Sequence, residues 1–337
     1  NCKNSIGILS VIIILLCGCQ PDKKTTFTAA SYNLRNANSA DSLQGDGWGN
    51  RCPIIAGLVQ FHEFDIFGTQ EGLRHQLDSL KTSLPKYDYI GVGRNDGKKE
   101  GEHAAIFYRI DKFELLEHGD FWLSETPEKP SVGWDAVLPR ICTWGHFKYK
   151  ETGFEFLFFN LHMDHIGKQA RVESALLVQQ KMKEIGENLP ALLTGDFNVD
   201  QTHRSYLALT KSGILRDAFE VADLRYAING TFNGFDSDNY TESRIDHVFV
   251  TPTFHILKYG VLTDSDFPII TDTHFYLLTI HTVYFYEIYC KSKLLMSGSR
   301  IWILLYPCSH SSCSDSTARQ HPDTIHKQPS ARTLVRI

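Results

Sequence analysis

The chain has 337 residues, of which 42% are hydrophobic and 22% are charged, and its formal net charge is −5. This composition is typical of one large or two ordinary globular domains. The negative balance excludes a strongly basic surface that would bind nucleic acid tightly and nonspecifically. It leaves open a nuclease that contacts only one or two phosphates.

The first 19 residues resemble a signal peptide. The stretch "SIGILSVIIILL" is an apolar core too short to cross a bilayer comfortably. It ends in "LLCGC", which resembles the lipobox of bacterial lipoproteins and implies lipidation of Cys19. We therefore expect a lipid anchor in the bacterial cell envelope; a plain secretory signal, giving a secreted or periplasmic protein, is the alternative. Residues 20–26 follow as a polar tether.

Residues 27–280 alternate between strand-like and helix-like patterns and are predicted to form one domain. Strands are predicted over residues 26–35, 64–71, 87–94, 103–109, 112–119, 140–150, 154–164, 189–198, 243–251 and 255–264. Amphipathic helices are predicted over 51–63, with Pro53 near the first turn, 73–84 and 168–187. Strands outnumber helices, and hairpin-like pairs mix with strand–helix–strand crossings. This favours an α/β fold of two mixed sheets packed face to face, with helices outside, over a doubly wound parallel sheet.

The cysteines do not form a disulfide framework. Only Cys52 and Cys142 lie in the body of the chain, and no Cys/His spacing typical of zinc surrounds them. One disulfide and two buried thiols are both compatible with this pattern.

Several predicted strands end in polar residues that burial of an apolar sheet does not require. They are Asn33 in "SYNLR", Glu71 in "FGTQE", His162 in "NLHMDH", Asp196 and Asn198 in "LLTGDFN", and Asp246 in "RIDHVFV". Taken singly, each has an ordinary explanation as a turn former, a helix first-turn residue or a hydrogen-bonded core residue.

Taken together, these segments resemble the endonuclease/exonuclease/phosphatase superfamily, which has the DNase I-like fold. The matching motifs are "YNLR", "TQE", "AIFYR", "NLHMDH", "GDFN" and "RIDH", in family order over about residues 31–250. The resemblance implies a four-layer α/β sandwich, a divalent cation, usually Mg²⁺ (or Mn²⁺), and hydrolysis of a phosphate ester.

The chemistry of such a site suggests a role for each residue. A hard cation held by oxygen ligands offsets the charge of the attacked phosphate, so Glu71 is the main candidate ligand and Asn33 adds a neutral oxygen. The resemblance implies that Asp196 contacts the attacking water or a metal. His162, Asn198 and Arg109 are candidates for binding the phosphate, and Arg171, on a helix face, is a weaker candidate for the same role. The resemblance implies that Asp246 orients a late catalytic His.

The chain departs from the family pattern after residue 250. The expected Ser-Asp-His motif is missing, and "TDTH" offers Asp272 and His274 instead, which a bulge at Thr273 would have to re-aim. Residues 281–337 have an atypical composition: positions 291–337 contain nine Ser, seven Lys or Arg and no Glu. We expect a disordered or out-of-frame tail; a genuine interaction tail is the alternative.

The sequence therefore predicts a secreted or lipid-anchored, metal-dependent phosphoesterase whose substrate is a phosphate ester. The alternative is a catalytically impaired surface lipoprotein of the same fold that binds a phosphorylated or glycan ligand. Nucleic acid remains possible as a substrate but has no basic patch to support it. The membrane is expected to be contacted only through the lipid anchor, and the protein to be a monomer.

Overall fold

A computed structural model describes residues 25–227, 230–232 and 241–262, together with the backbone of three later strands at residues 278–285, 295–297 and 300–302. The predicted signal peptide with Cys19, the residues Asp272 and His274, and most of the predicted tail lie outside the described residues. The chain divides into two compact units, residues 1–287 and residues 288–337.

The first unit is built from strands and helices whose bounds follow the hydrophobic patterns of the sequence. The strands are β1 (Thr26–Asn33), β2 (Ile66–Gln70), β3 (Tyr87–Ile90), β4 (Ile106–Arg109), β5 (Phe113–Trp122), β6 (Ile141–Tyr149), β7 (Phe154–His162), β8 (Ala191–Asp196), β9 (Arg216–Asp217), β10 (Leu224–Tyr226), β11 (Asp246–Val250), β12 (Phe254–Leu262) and β13 (Leu278–Phe285). The helices are α1 (Ser39–Leu43), α2 (Trp48–Phe61), α3 (Arg74–Ser83), α4 (Lys168–Gly186), α5 (Arg204–Thr210) and α6 (Ala218–Val221).

The strands form two mixed sheets. One has the order β10-β12-β13-β1-β2-β4-β3 and the other β5-β6-β7-β8-β11-β9. The neighbours β1 and β2 are parallel, as are β7 and β8, whereas β11 runs antiparallel to β8. The carboxyl ends of β1 and β2, and likewise those of β7 and β8, therefore lie side by side in their own sheets.

The sheets pack face to face because alternate residues of each strand are apolar and point to the same side. The core between the sheets includes Phe27, Ile66, Phe113, Phe147, Phe156, Phe158, Leu192 and Val248, all fully buried. The opposite rows of residues pack against helices α2 and α3 on one outer face and against α4 and α5 on the other. The fold is the predicted α/β sandwich with helices outside.

Several details differ from the prediction or extend it. Helix α2 begins at Trp48, so Pro53 lies in its second turn rather than near the first. Three short helices (α1, α5 and α6) and two short strands (β9 and β10) were not predicted, because each is too short to show a periodic pattern. Strand β13 crosses the predicted domain end at residue 280 and pairs with β1 and β12. Both body cysteines, Cys52 and Cys142, are buried free thiols.

The described part of the second unit is a short antiparallel pair, β14 (Leu295–Ser297) with β15 (Arg300–Trp302). Among the residues that the structure describes, none of the helices combines the length and apolar character needed to cross a membrane.

Candidate functional site

One pocket lies where the carboxyl ends of four strands meet. Asn33 ends β1, His162 ends β7 and Asp196 ends β8, while Glu71 follows β2 directly. In register, Asn33 pairs with Gln70, and Asp196 pairs with both His162 and Asp246. The pocket has a volume of about 360 Å³ and is lined by Asn33, Asn36, Glu71, Arg94, Glu102, Leu138, Arg140, His162, His165, Asp196, Asn198, Thr231, Phe232, Ile245 and Asp246.

The strand pattern explains why these polar side chains face each other. His162 continues the inward-facing row of Phe156 and Phe158 on β7, and Asp196 continues the row of Leu192 on β8. The apolar part of each row fills the core between the sheets, and the polar residue at its end reaches the open edge. Glu71 has a φ of 62°, which breaks the strand alternation at that position.

The two sheets approach closely behind the pocket because Gly68 has no side chain: a Cβ there would lie 2.2 Å from Asn160 Oδ1 in the other sheet. Gly195 has a different effect, within its own sheet, where a Cβ would lie 2.3 Å from the carbonyl oxygen of Leu161 on the neighbouring strand β7. Asn160 fills the space that Gly68 leaves. Its amide nitrogen donates to the carbonyl oxygens of Thr69 (2.8 Å) and Ala105 (3.0 Å) in the other sheet.

The Asn160 oxygen completes this tie between the sheets. It accepts hydrogen bonds from Gln70 Nε2 (2.7 Å) and from Thr194 Oγ1 (3.0 Å). Glu71 follows Gln70, and Asp196 lies two residues beyond Thr194. The tie therefore sets the distance between the two halves of the site.

Asn33 connects two carboxylates across the sheets. Its Nδ2 donates to Glu71 Oε1 at 2.9 Å and to Asp196 Oδ2 at 3.1 Å, while its Oδ1 accepts the backbone amide of Arg35. Asp196 also accepts the backbone amide of Asn198 at 2.9 Å. The side chain of Asn198 donates to the carbonyl oxygen of Met163, and this bond holds the "GDFN" loop against the end of β7.

The buried carboxylates oppose one another electrostatically. Burial, together with the charge of Glu71, raises the pKa of Asp196 to about 6, although the Asn198 amide and Asn33 partly offset this. Burial and the charge of Asp196 hold the pKa of Asp246 well above its usual range. Like charges directly opposite each other on paired strands are unfavourable, so this arrangement favours a bound cation.

His162 lies between two carboxylates, one on each side of its ring. Its Nε2 is 3.8 Å from Asp196 Oδ2, and its Nδ1 is 3.8 Å from Glu102 Oε2. Burial, followed by the nearby charges of Arg140, Arg94 and His165, lowers the pKa of His162 well below its usual range. The ring is therefore neutral at physiological pH and carries a single N–H donor.

The donor set of this pocket fits a hard divalent cation. Ligand atoms of Glu71, His162 and Asp196 lie within 4.8 Å of one another, and Asp246 adds a third carboxylate in register with Asp196. Carboxylate and amide oxygens are the ligands that Mg²⁺ and Mn²⁺ prefer. Of the two predicted ligands, Glu71 belongs to this group, whereas Asn33 turns its amide nitrogen toward Glu71 and Asp196 and its oxygen toward the Arg35 backbone amide.

Arg109 does not join the other predicted residues. Strand β4 runs antiparallel to β2, so its last residue, Arg109, lies beside the start of β2, at the end remote from Glu71. There it pairs with Asp111 at 2.6 Å and approaches Asp65 at 3.6 Å. The expectation that Arg109 binds the phosphate is corrected by this geometry.

Arg171 does not line the pocket either; its Nη1 donates to the carbonyl oxygen of Asp164.

The basic part of the pocket was not predicted from the sequence. Arg94 and Glu102 form an ion pair at 2.6 Å on the loop between β3 and β4, and Asn36 donates to Glu102 at 3.1 Å. Arg140 precedes β6, and His165 follows β7. His165 was within the quoted "NLHMDH" motif, whereas Arg94 and Arg140 stood at the ends of predicted strands. Nothing in their local pattern distinguishes them from surface cations.

Comparisons with known proteins agree with this geometry. The family model described as "Endonuclease/Exonuclease/phosphatase family" matches residues 30–272. A crystal structure of an endonuclease/exonuclease/phosphatase family protein from Bacteroides thetaiotaomicron is 63% identical, covers 79% of this chain and 100% of its own, and has a TM-score of 0.76. A mannosyl-6-phosphatase from Bacteroides thetaiotaomicron is 64% identical over 76% of this chain and 99% of its own, with a TM-score of 0.74. An uncharacterized protein of Acanthamoeba polyphaga mimivirus is 29% identical over 216 residues, which are 60% of this chain and 79% of that protein.

Proposed function

Because the chain belongs to the endonuclease/exonuclease/phosphatase family, we propose that it is a divalent-metal-dependent phosphoesterase that hydrolyses a phosphate monoester of a sugar. The observation that carries the proposal is the meeting of three carboxylates, Glu71, Asp196 and Asp246, with Asn33 and His162 in one pocket. These residues come from five different strand ends. Core packing alone does not require their convergence.

Each residue has a role in hydrolysis that its position supports. Glu71, oriented by the hydrogen bond from Asn33 Nδ2, would hold the cation, and when bound the cation supplies a Lewis acid that offsets the charge of the phosphate. Asp196 orients the attacking water. His162, neutral and with no hydrogen-bond partner on Nδ1 among the described residues, donates to a phosphate oxygen. Asn198 binds another phosphate oxygen with the amide hydrogen that Met163 does not occupy.

The substrate is proposed from one relative and from the pocket wall. The relative is described as a mannosyl-6-phosphatase, and its match extends over nearly its whole length. Arg94, Glu102 and Asn36 supply charged and amide groups of the kind that bind hydroxyls. Leu138 and Phe232, which are 39% and 38% exposed, add apolar surface at the pocket. A hydroxylated alcohol such as a hexose matches this combination of polar and apolar contacts.

We also propose that the protein is anchored in the bacterial cell envelope through Cys19 and acts there as a monomer. The support is the "LLCGC" sequence, which lies outside the described residues. Nucleic acid remains the less supported substrate, because the net charge of the chain is −5.

The test is a comparison of substrates with and without divalent cation. Purified protein is freed of metal with EDTA and assayed for phosphate release from mannose 6-phosphate, glucose 6-phosphate, a phosphodiester and single-stranded DNA. Mg²⁺ or Mn²⁺ is then restored. We expect release from the sugar phosphates, only with cation present, and loss of at least a hundredfold in turnover for Asp196→Ala.

A matched control is Asp78→Ala, which removes a half-exposed carboxylate on α3 that pairs with Arg74. It should leave turnover unchanged. Cation-independent release, or equal rates for Asp196→Ala and Asp78→Ala, would contradict the proposal. Tight binding of a sugar phosphate without hydrolysis would favour the alternative of a binding lipoprotein.

A further inference from the structure

Arg140 is a buried cation in the wall of the pocket. Its side chain is only 4% exposed, although the residue precedes β6 and lies next to an open cavity. Burying a guanidinium group is costly unless its hydrogen-bonding groups find partners. The hydrogen-bond partners of the three guanidinium nitrogens therefore indicate the role of Arg140.

Two of the three guanidinium nitrogens are held by the segment that follows β7. Nε donates to Asp164 Oδ2 at 3.3 Å, and Nη2 donates to His165 Nδ1 at 2.9 Å. Because arginine has only donors, Nδ1 of His165 must accept, and the neutral ring then carries its hydrogen on Nε2. The guanidinium plane is thus oriented before any ligand arrives.

The segment that holds Arg140 is itself held by hydrogen bonds. Asp164 accepts the backbone amides of Gly167 at 2.7 Å and Ile166 at 2.9 Å. Arg171 binds the Asp164 carbonyl oxygen from α4 at 2.9 Å. The guanidinium group is therefore held by the segment after β7, which is in turn bound to α4, and not by the Arg140 side chain alone.

The third nitrogen, Nη1, has no hydrogen-bond partner among the described residues, although it is buried. An unsatisfied buried donor costs about 1–3 kcal/mol, so a site next to a cavity is expected to fill it with a ligand group or water. Nη1 belongs to a cation, so an anionic oxygen would be its strongest acceptor. The other arginine of the pocket, Arg94, is paired with a lining carboxylate, Glu102, whereas Asp164, the partner of Arg140, does not line the pocket.

We propose that Arg140 is the cationic phosphate-binding residue of this site and donates through Nη1 to an oxygen of the substrate phosphate. This deepens the proposed function, on which it rests, and gives Arg140 the part first expected of Arg109. The guanidinium group favours a phosphate oxygen, because charge-assisted N–H···O⁻ bonds are about twice as strong as neutral ones. Asp164 and His165 act as positioning residues.

The test measures binding of inorganic phosphate, the common product of phosphate monoester hydrolysis, rather than turnover. Isothermal titration calorimetry of the full chain gives the phosphate Kd for the wild type, Arg140→Gln and Arg140→Lys, with and without Mg²⁺. We expect Arg140→Gln to weaken phosphate binding about 10- to 100-fold, the range for loss of a charged hydrogen bond. Lysine keeps the charge but cannot hold Asp164 and His165 while reaching a ligand, so Arg140→Lys should weaken binding about threefold or more.

A matched control is Arg74→Gln, which removes a half-exposed arginine on α3 that pairs with Asp78. It should leave the phosphate Kd unchanged. Thermal unfolding checks that each variant is folded; if Arg140→Gln is not, Arg140→Lys decides. A wild-type phosphate Kd in a folded Arg140 variant would overturn the proposal and assign Nη1 to a structural water.

The result separates the two proposals. If phosphate binding depends on Arg140 but no ester is hydrolysed, the phosphate site stands and the proposed activity fails. If esters are hydrolysed but phosphate binding does not depend on Arg140, the activity stands and this assignment of Arg140 fails.

Discussion

The tie between the sheets at Asn160 provides a direct test of how the fold sets the site. Asn160→Ala removes four hydrogen bonds, with donor–acceptor distances between 2.7 and 3.0 Å, from a fully buried position. At about 1 kcal/mol for each bond, the free energy of unfolding should fall by about 4 kcal/mol. This is large, because a domain of ordinary stability has only about 5–15 kcal/mol in total.

The same change should reach the pocket. Gln70 loses its bond to Asn160 and keeps one to Ser31 at 3.2 Å, and Glu71 is the next residue along the chain. His162 lies two residues beyond Asn160 on the same strand face. We therefore expect kcat to fall at least tenfold, or about 1.4 kcal/mol, at a temperature where the variant remains folded.

Urea unfolding followed by circular dichroism measures the stability, and phosphate release measures kcat. The matched control is Asn50→Ala, which removes an asparagine whose side chain makes a single exposed hydrogen bond, to the Gly45 carbonyl oxygen. It should change stability by about 1 kcal/mol or less. A free energy of unfolding for Asn160→Ala within about 0.5 kcal/mol of the wild type would refute the reasoning.

Four further outcomes are expected. Glu71→Gln keeps the shape of the side chain but removes a charge, and should weaken Mg²⁺ binding in calorimetry about tenfold or more; unchanged affinity would remove Glu71 from the ligand set. Gly195→Ala should destabilise the protein by about 2 kcal/mol or more in urea unfolding, because the new Cβ would lie 2.3 Å from the backbone oxygen of Leu161 on the neighbouring strand; a neutral effect would show that β7 and β8 can move apart at no cost. Arg109→Gln should leave turnover intact and lower stability by about 1 kcal/mol or less, since its shorter ion pair is with the half-exposed Asp111 and the buried Asp65 lies 3.6 Å away and keeps Lys112 as a partner; a loss of phosphate release would return Arg109 to the site. Mass spectrometry of the mature protein should find a lipidated N-terminal Cys19, and an unmodified N-terminus would indicate a secreted or periplasmic protein instead.

The sequence by itself determined the layers and most of the site. The aromatic and β-branched content of β1 and the continuous apolar runs of β7 and β8 indicate buried strands, and the polar residue that ends each of them indicates an open edge. Period-two and helical patterns are local properties of the chain, so they could be recognised before folding is considered. The polar strand ends together with the resemblance to the family motifs pointed to Asn33, Glu71, His162, Asp196, Asn198 and Asp246, which line one pocket. The expectation that Asp246 orients a late catalytic His stays a prediction, because the candidate His274, like Asp272, lies outside the described residues.

Tertiary structure alone decided which cations reach that pocket. Arg109 and Arg140 both stand at strand ends in the sequence, and nothing local separates them. The antiparallel pairing of β4 with β2 places Arg109 at the remote end of its sheet, whereas Asp164 and His165 hold Arg140 at the site. Strand direction and contacts between residues distant in sequence are long-range properties. A local pattern shows that a residue is polar and ends a strand, but not toward which end of the sheet that strand runs.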